Sequence, residues 1–212
     1  MHAEWVEGLL AVAALALLGG YHLVLWRRVR RRPLATAFGL ARYTRNRWVA
    51  LVMAERRDIL GVQTLRNWTM AATFLASTAM LIALGILSVA ATTERAAEVA
   101  RLLTFFGGAG AAFWQLKLLL LALGFLFAFF NFALALRYFN HAGFALALPA
   151  DGDAHVTADD VAQGLNRGVL HYTLGMRAYY LAVPLALWLF GPELLLAAAL
   201  VTVAVLRGLD RP

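Results

Sequence analysis

The chain is 212 residues long, with 62% hydrophobic and 15% charged residues, where soluble domains carry about 45–50% apolar and about 25% charged. It has no cysteine, which excludes disulfides, thiolate chemistry and cysteine-based zinc or iron–sulfur sites. The formal charge of +7 would suit nucleic acid, but the basic residues follow an apolar stretch long enough to cross a bilayer, so anionic lipid headgroups are the nearer partner.

The first apolar stretch runs from Trp5 to Trp26. Glu4 and Glu7 lie at its start, and Arg27, Arg28, Arg30, Arg31 and Arg32 follow. A cleavable signal carries its positive charge on the other side, so a retained anchor is expected. Lys/Arg-rich flanks stay on the cytoplasmic side, which puts the N-terminus outside. Eleven arginines fall between Arg27 and Arg66. Pro33 ends the first run of them, because the residue before a proline disfavours helix.

From about residue 40 to 66, Trp48, Leu51, Val52, Ile59 and Val62 recur at roughly helical spacing against Arg45, Arg47, Arg56 and Arg57. This predicts an amphipathic helix on the inner leaflet or under the bundle; a solvated linker is the alternative. A second span is expected over about 68–91. A short, nearly neutral outer loop follows, with Glu94 and Glu98 against Arg95 and Arg101. Gly107, Gly108 and Gly110 then precede a third span over about 112–136. Asp151-Gly152-Asp153 marks a turn in the inner loop, and Thr157 with Asp160 forms an imperfect capping box.

A fourth helix begins near Val161, its membrane part covering about 170–190. Gly191-Pro192 turns the chain. Without that turn, a helix from Ala178 to Leu206 would be about 43 Å long against a hydrocarbon core of about 30 Å. The fifth span covers about 192–207 and returns the C-terminus to the inside. The expectation is an all-α integral membrane protein of one domain, with five spans and an inner-face helix. A bacterial cytoplasmic membrane is the expected location.

Several residues invite chemistry. His22, His141 and His171 fall toward inner helix ends, where a haem or metal site competes with simple hydrogen bonding; their spacing matches no ligand pattern, so neither cofactor nor metal is expected. Gln63, Arg66, Asn67, Arg137 and Asn140 gather at the same depth, where arginine can snorkel to headgroups. Arg177 lies within apolar sequence and should need a partner. Asp210, at a similar depth on the next antiparallel helix, is one candidate. Lys117 near an outer end reads more readily as snorkelling than as a relay. Asn131 can hydrogen-bond across a helix contact. No Walker A, G-x-S-x-G or H-E-x-x-H motif is present, which disfavours an enzyme.

Tyr21-His22 with Leu25-Trp26, the run Val62-Gln63-Thr64-Leu65-Arg66-Asn67, and Arg137 with Asn140 form one ordered pattern. Arg177 with Tyr180, Pro184, Leu187-Trp188 and Gly191-Pro192 continues it, and Leu209-Asp210 closes it. In these pieces the chain resembles the domain-of-unknown-function family five-nine-nine along nearly its whole length. The resemblance implies a helical membrane protein without an established activity, in which positions 141 and 171 need not be histidine. His22, Gln63, Arg66, Asn67, Arg137, Asn140, Arg177 and Asp210 are the candidate polar cluster. It would bind a lipid headgroup, an anion or a membrane partner. A small-solute transporter or channel is the alternative, and a haem-bearing electron-transfer protein the third reading.

Overall fold

The computed structural model describes residues 2–92, 98, 111–148 and 156–211. The outer-loop and glycine-rich patches (Glu98 aside) and the Asp151-Gly152-Asp153 turn lie outside them. The described residues form six α-helices: α1 (His2–Arg31), α2 (Ala37–Ala54), α3 (Asp58–Ala90), α4 (Ala111–Leu146), α5 (Ala158–Leu187) and α6 (Pro192–Leu209). A short 3-10 turn, Pro33–Ala35, joins α1 to α2.

Four helices are long and apolar enough to cross a membrane: Glu7–Arg31 of α1, all of α3, Ala112–Leu146 of α4, and α6. The helix α5, the remaining expected span, is not among them; Arg167, Arg177 and His171 interrupt its apolar character. At 1.5 Å per residue α3 and α4 are about 50 and 54 Å long. Both outrun a hydrocarbon core of about 30 Å.

The helix expected over about 40–66 is divided in two. Arg56 adopts φ 51°, its N–H donates to the Met53 carbonyl, and the Arg57 N–H donates to the Val52 carbonyl. These are the two bonds of a Schellman ending, with arginine in the left-handed position that glycine favours. Ile59 to Asn67 therefore belong to α3, not to α2. The capping box is present: the Asp160 N–H donates to Thr157 Oγ1 and the Thr157 N–H to Asp160 Oδ2.

The helices α3, α4 and α5 pack in series. Phe132 and Phe139, seven residues apart on α4, are fully buried. They meet α5 at Gly175 and Gly168, also seven apart: a Cβ at Gly175 would lie 2.8 Å from Phe132 Cε1, and one at Gly168 2.7 Å from Phe139 Cε1. Glycine is what lets these backbones close to ring contact. Val49, Val52 and Met53 of α2 join the same core at its basic end, with Leu65, Leu146 and Leu165.

The outer helices pair separately. Ala11, Ala14 and Leu18 of α1 pack against Leu195, Ala199 and Val203 of α6, with Trp188. The contacts of α1 run chiefly to α6, and those of α6 to α1 and α5. The flanks of α1 and α5 thus face each other with little contact.

Candidate functional site

A cleft of about 1090 Å³ opens where α1, α2 and α5 come together at the basic end. On α1 the register His22, Leu25, Trp26, Val29 and Arg30 lines it, the helical spacing that puts residues on one face. Arg42 and Arg45 come from α2, and Thr173, Leu174 and Arg177 from α5. Among the described residues, five arginines line the cleft (Arg30, Arg42, Arg45, Arg167 and Arg177), against a single carboxylate, that of Asp159.

The end of the cleft toward the bundle's middle is a closed network. Arg177 Nη2 donates to both carboxylate oxygens of Asp210, at 2.6 and 2.8 Å. The Tyr21 hydroxyl donates to the same carboxylate. His22 Nδ1 donates to the Leu18 carbonyl at 2.8 Å, which leaves Nε2 as the acceptor for Arg177 Nη1 at 3.3 Å. The Arg177 guanidinium also sits 5.1 Å from the centre of the Phe38 ring. With side chains 12% and 9% exposed, Arg177 and Asp210 form a charge-neutral pair. Their matched depth on α5 and α6 is what brings them together.

Nearer the mouth the positive charge is less compensated. Arg45 Nε donates to Asn166 Oδ1 at 3.0 Å, and Asn166 Nδ2 donates to Asn46 Oδ1 at 2.7 Å. Burial, and then the neighbouring charge of Arg42, hold the Arg45 guanidinium below the usual arginine range. It remains a cation at neutral pH, and an anion beside it would relieve both effects. Arg30 stacks on Trp26, 3.9 Å from the ring centre. No salt bridge joins Arg30, Arg42, Arg45 or Arg167 to a carboxylate among the described residues.

Of the expected cluster, the structure brings together His22, Arg177 and Asp210. Gln63, Arg66 and Asn67 are exposed on α3, and Arg137 and Asn140 are exposed on α4; none of the five lines the cleft. Sequence reasoning left out Arg30, Arg42, Arg45, Asn166, Arg167 and the role of Tyr21 as a donor to Asp210. The usable signal was the spacing Arg42-x-x-Arg45, two cations on one helical face.

The histidines are used locally. His171 Nδ1 donates to Asn131 Oδ1 at 3.0 Å across α4 and α5, and its ring stacks on Tyr138. His141 is exposed. No group of three metal-ligating side chains occurs among the described residues.

At the opposite end, Lys117 does not snorkel. It is 3% exposed and forms an ion pair with Glu7 of α1. It also donates to the Trp188 carbonyl at 3.3 Å, and the rings of Phe113 and Trp188 lie about it. A carboxylate on another helix outcompetes the headgroup water that snorkelling would have reached.

Long apolar helices with a basic cleft at one end define a helical protein of the integral-membrane type. The model of a protein of unknown function, DUF599, matches residues 9–212, and the chain belongs to that family. No curated protein and no solved structure matches it.

Proposed function

We propose that this chain is a non-enzymatic, multi-pass membrane protein whose cleft at the inner membrane face binds an anionic group of the phosphate class. One observation carries the reading: the cleft collects Arg30, Arg42, Arg45 and Arg167 in addition to the neutralised Arg177, with Asp159 as the one carboxylate among its described lining residues. Guanidinium forks match phosphate oxygens bidentately, and their charge is less screened in a partly enclosed site than on an open surface.

The same reading makes α5 the remaining span, with the N-terminus outside and the C-terminus inside. Its most costly intramembrane charge, Arg177, is neutralised by Asp210, which removes the chief objection to burying it. The eleven arginines between Arg27 and Arg66 support placing the cleft end in the cytoplasm. The natural chain has no cysteine, so single cysteines at Ala3, Thr93, Asp153 and Arg211 can report sidedness. In intact cells an impermeant thiol reagent should label the first two only; labelling at Arg211 would end the five-span topology.

Binding is tested by calorimetry on the detergent-purified protein with glycerol 3-phosphate. The double change Arg42→Gln with Arg45→Gln should weaken binding at least tenfold, and added salt should weaken it further. Absence of binding, or indifference to the double change, would refute the anion reading.

A further inference from the structure

A second, smaller cavity of about 350 Å³ adjoins the basic cleft, and His22 lines both. Its other walls are Leu15, Leu18 and Gly19 of α1 and Leu181 and Leu185 of α5, all apolar. Leu18 and Leu15 lie one and two turns beyond His22 along α1. Leu181 and Leu185 lie one and two turns beyond Arg177 along the antiparallel α5. Both series run away from the basic end, so the small cavity extends the cleft toward the bilayer centre. A charged cleft and an apolar groove thus lie in line, with His22 as their shared wall and the His22–Arg177 hydrogen bond between them.

That division of chemistry is the division within a phospholipid. We infer that the site takes a membrane phospholipid with an anionic phosphate head, the phosphate lying among Arg42, Arg45 and Arg167 and one acyl chain lying in the groove between α1 and α5. The inference rests on the anion reading above and adds to it the class of ligand and its direction of approach. The lipid enters sideways from the inner leaflet, between two helices that scarcely touch. Charge complementarity selects the head: four cations with no carboxylate partner among the described residues disfavour a zwitterionic lipid, whose own ammonium would meet them. Leu15, Leu181 and Leu185 offer an alkyl chain only dispersion contacts and exclusion of water.

Gly19 gives a direct handle. A Cβ at Gly19 meets nothing within 4 Å, so a larger side chain there starts into open space and extends into the groove. Replacing a mid-helix glycine also favours the helix. Calorimetry would compare three probes on the detergent-purified protein: glycerol 3-phosphate, dioctanoyl phosphatidic acid and dioctanoyl phosphatidylcholine. Phosphatidic acid should bind at least tenfold more tightly than either of the others. Gly19→Phe, with Gly19→Leu as a second variant, should bring phosphatidic acid down to the affinity of glycerol 3-phosphate and leave the latter unchanged. Arg42→Gln with Arg45→Gln should weaken both anionic probes.

If the acylated and soluble phosphates bind equally, or if the Gly19 variants change nothing while the arginine variant still weakens binding, the groove has no acyl role. The phospholipid inference then falls and the anion reading stands. If neither phosphate binds, or if the arginine variant is without effect, the anion reading falls and takes the inference with it. Equal affinity for phosphatidylcholine overturns the head selectivity.

Discussion

Two ion pairs tie α1 and α6 to the rest of the bundle, one near each end, and they differ in what surrounds them. Lys117 and Glu7 are sealed: their side chains are 3% and 7% exposed, and Phe113 and Trp188 close over the ammonium. Arg177 and Asp210 are 12% and 9% exposed and border a cleft of about 1090 Å³. In the first pair Lys117 is held by both Glu7 and the Trp188 carbonyl. The second keeps a guanidinium edge toward the open space. Similar ionic chemistry thus serves as a closed fastener at one end and as the floor of an open cleft at the other.

The largest effect should come from opening the sealed pair. Lys117→Met leaves Glu7 buried without its cation, at a cost of about 3–5 kcal/mol. The thermal midpoint in detergent should fall accordingly, and Glu7→Leu added to it should restore most of the loss. Failure of that rescue would show that Lys117 acts through its bond to the Trp188 carbonyl instead.

Arg177→Leu should cost less, about 3 kcal/mol, because the adjoining cleft lets water reach the stranded Asp210. Here the rescue by Asp210→Leu should be incomplete: the Tyr21 hydroxyl and His22 Nε2 also lose their partner. Equal rescue at the two ends would erase the contrast between them.

Tyr21→Phe sharpens the comparison by removing one donor and no charge. It should lower stability by about 1.5 kcal/mol, the range for a hydrogen bond to a charged group, with anion binding retained. A loss of binding instead would put Tyr21 in the ligand's own contacts.

The smallest effect lies apart from both pairs and calibrates them. Bonds from the Thr157 hydroxyl and backbone N–H hold the Asp160 carboxyl below its ordinary value of 3.8. A depressed carboxylate contributes stability above its unfolded pKa and loses it as pH falls through the folded one. Asp160→Asn should therefore be slightly less stable than the natural chain at pH 6, and the gap should close below pH 4. A gap that persisted at low pH would mean that the carboxylate's charge is not what the capping box uses.

Much of the helical order could be read from the chain because apolar length and arginine position are local properties. The turn at Gly191-Pro192 and the capping box at Thr157 were legible for the same reason. The break after Ala54 was not, since the left-handed residue there is Arg56 rather than a glycine. Among candidate site residues, sequence supplies depth but not azimuth. Arg66 and Asn67 share the basic end with Arg177, yet they flank buried Leu65 and point off the bundle. Lys117 shows the opposite limit: no local pattern announces that it meets Glu7, 110 positions earlier.

The hydrogen bond from Tyr21 to Asp210 spans 189 positions, and that span bears on how the protein is made. Synthesis delivers α1 before the helices it meets, with Glu7 waiting for Lys117 and with Tyr21 and His22 waiting for a network that Asp210 completes after α6. Until Asp210 leaves the ribosome, Arg177 and the Tyr21 hydroxyl lack the carboxylate that joins them. The floor of the cleft therefore closes late: Arg177 can be paired by Asp210 no sooner than α6 itself is complete.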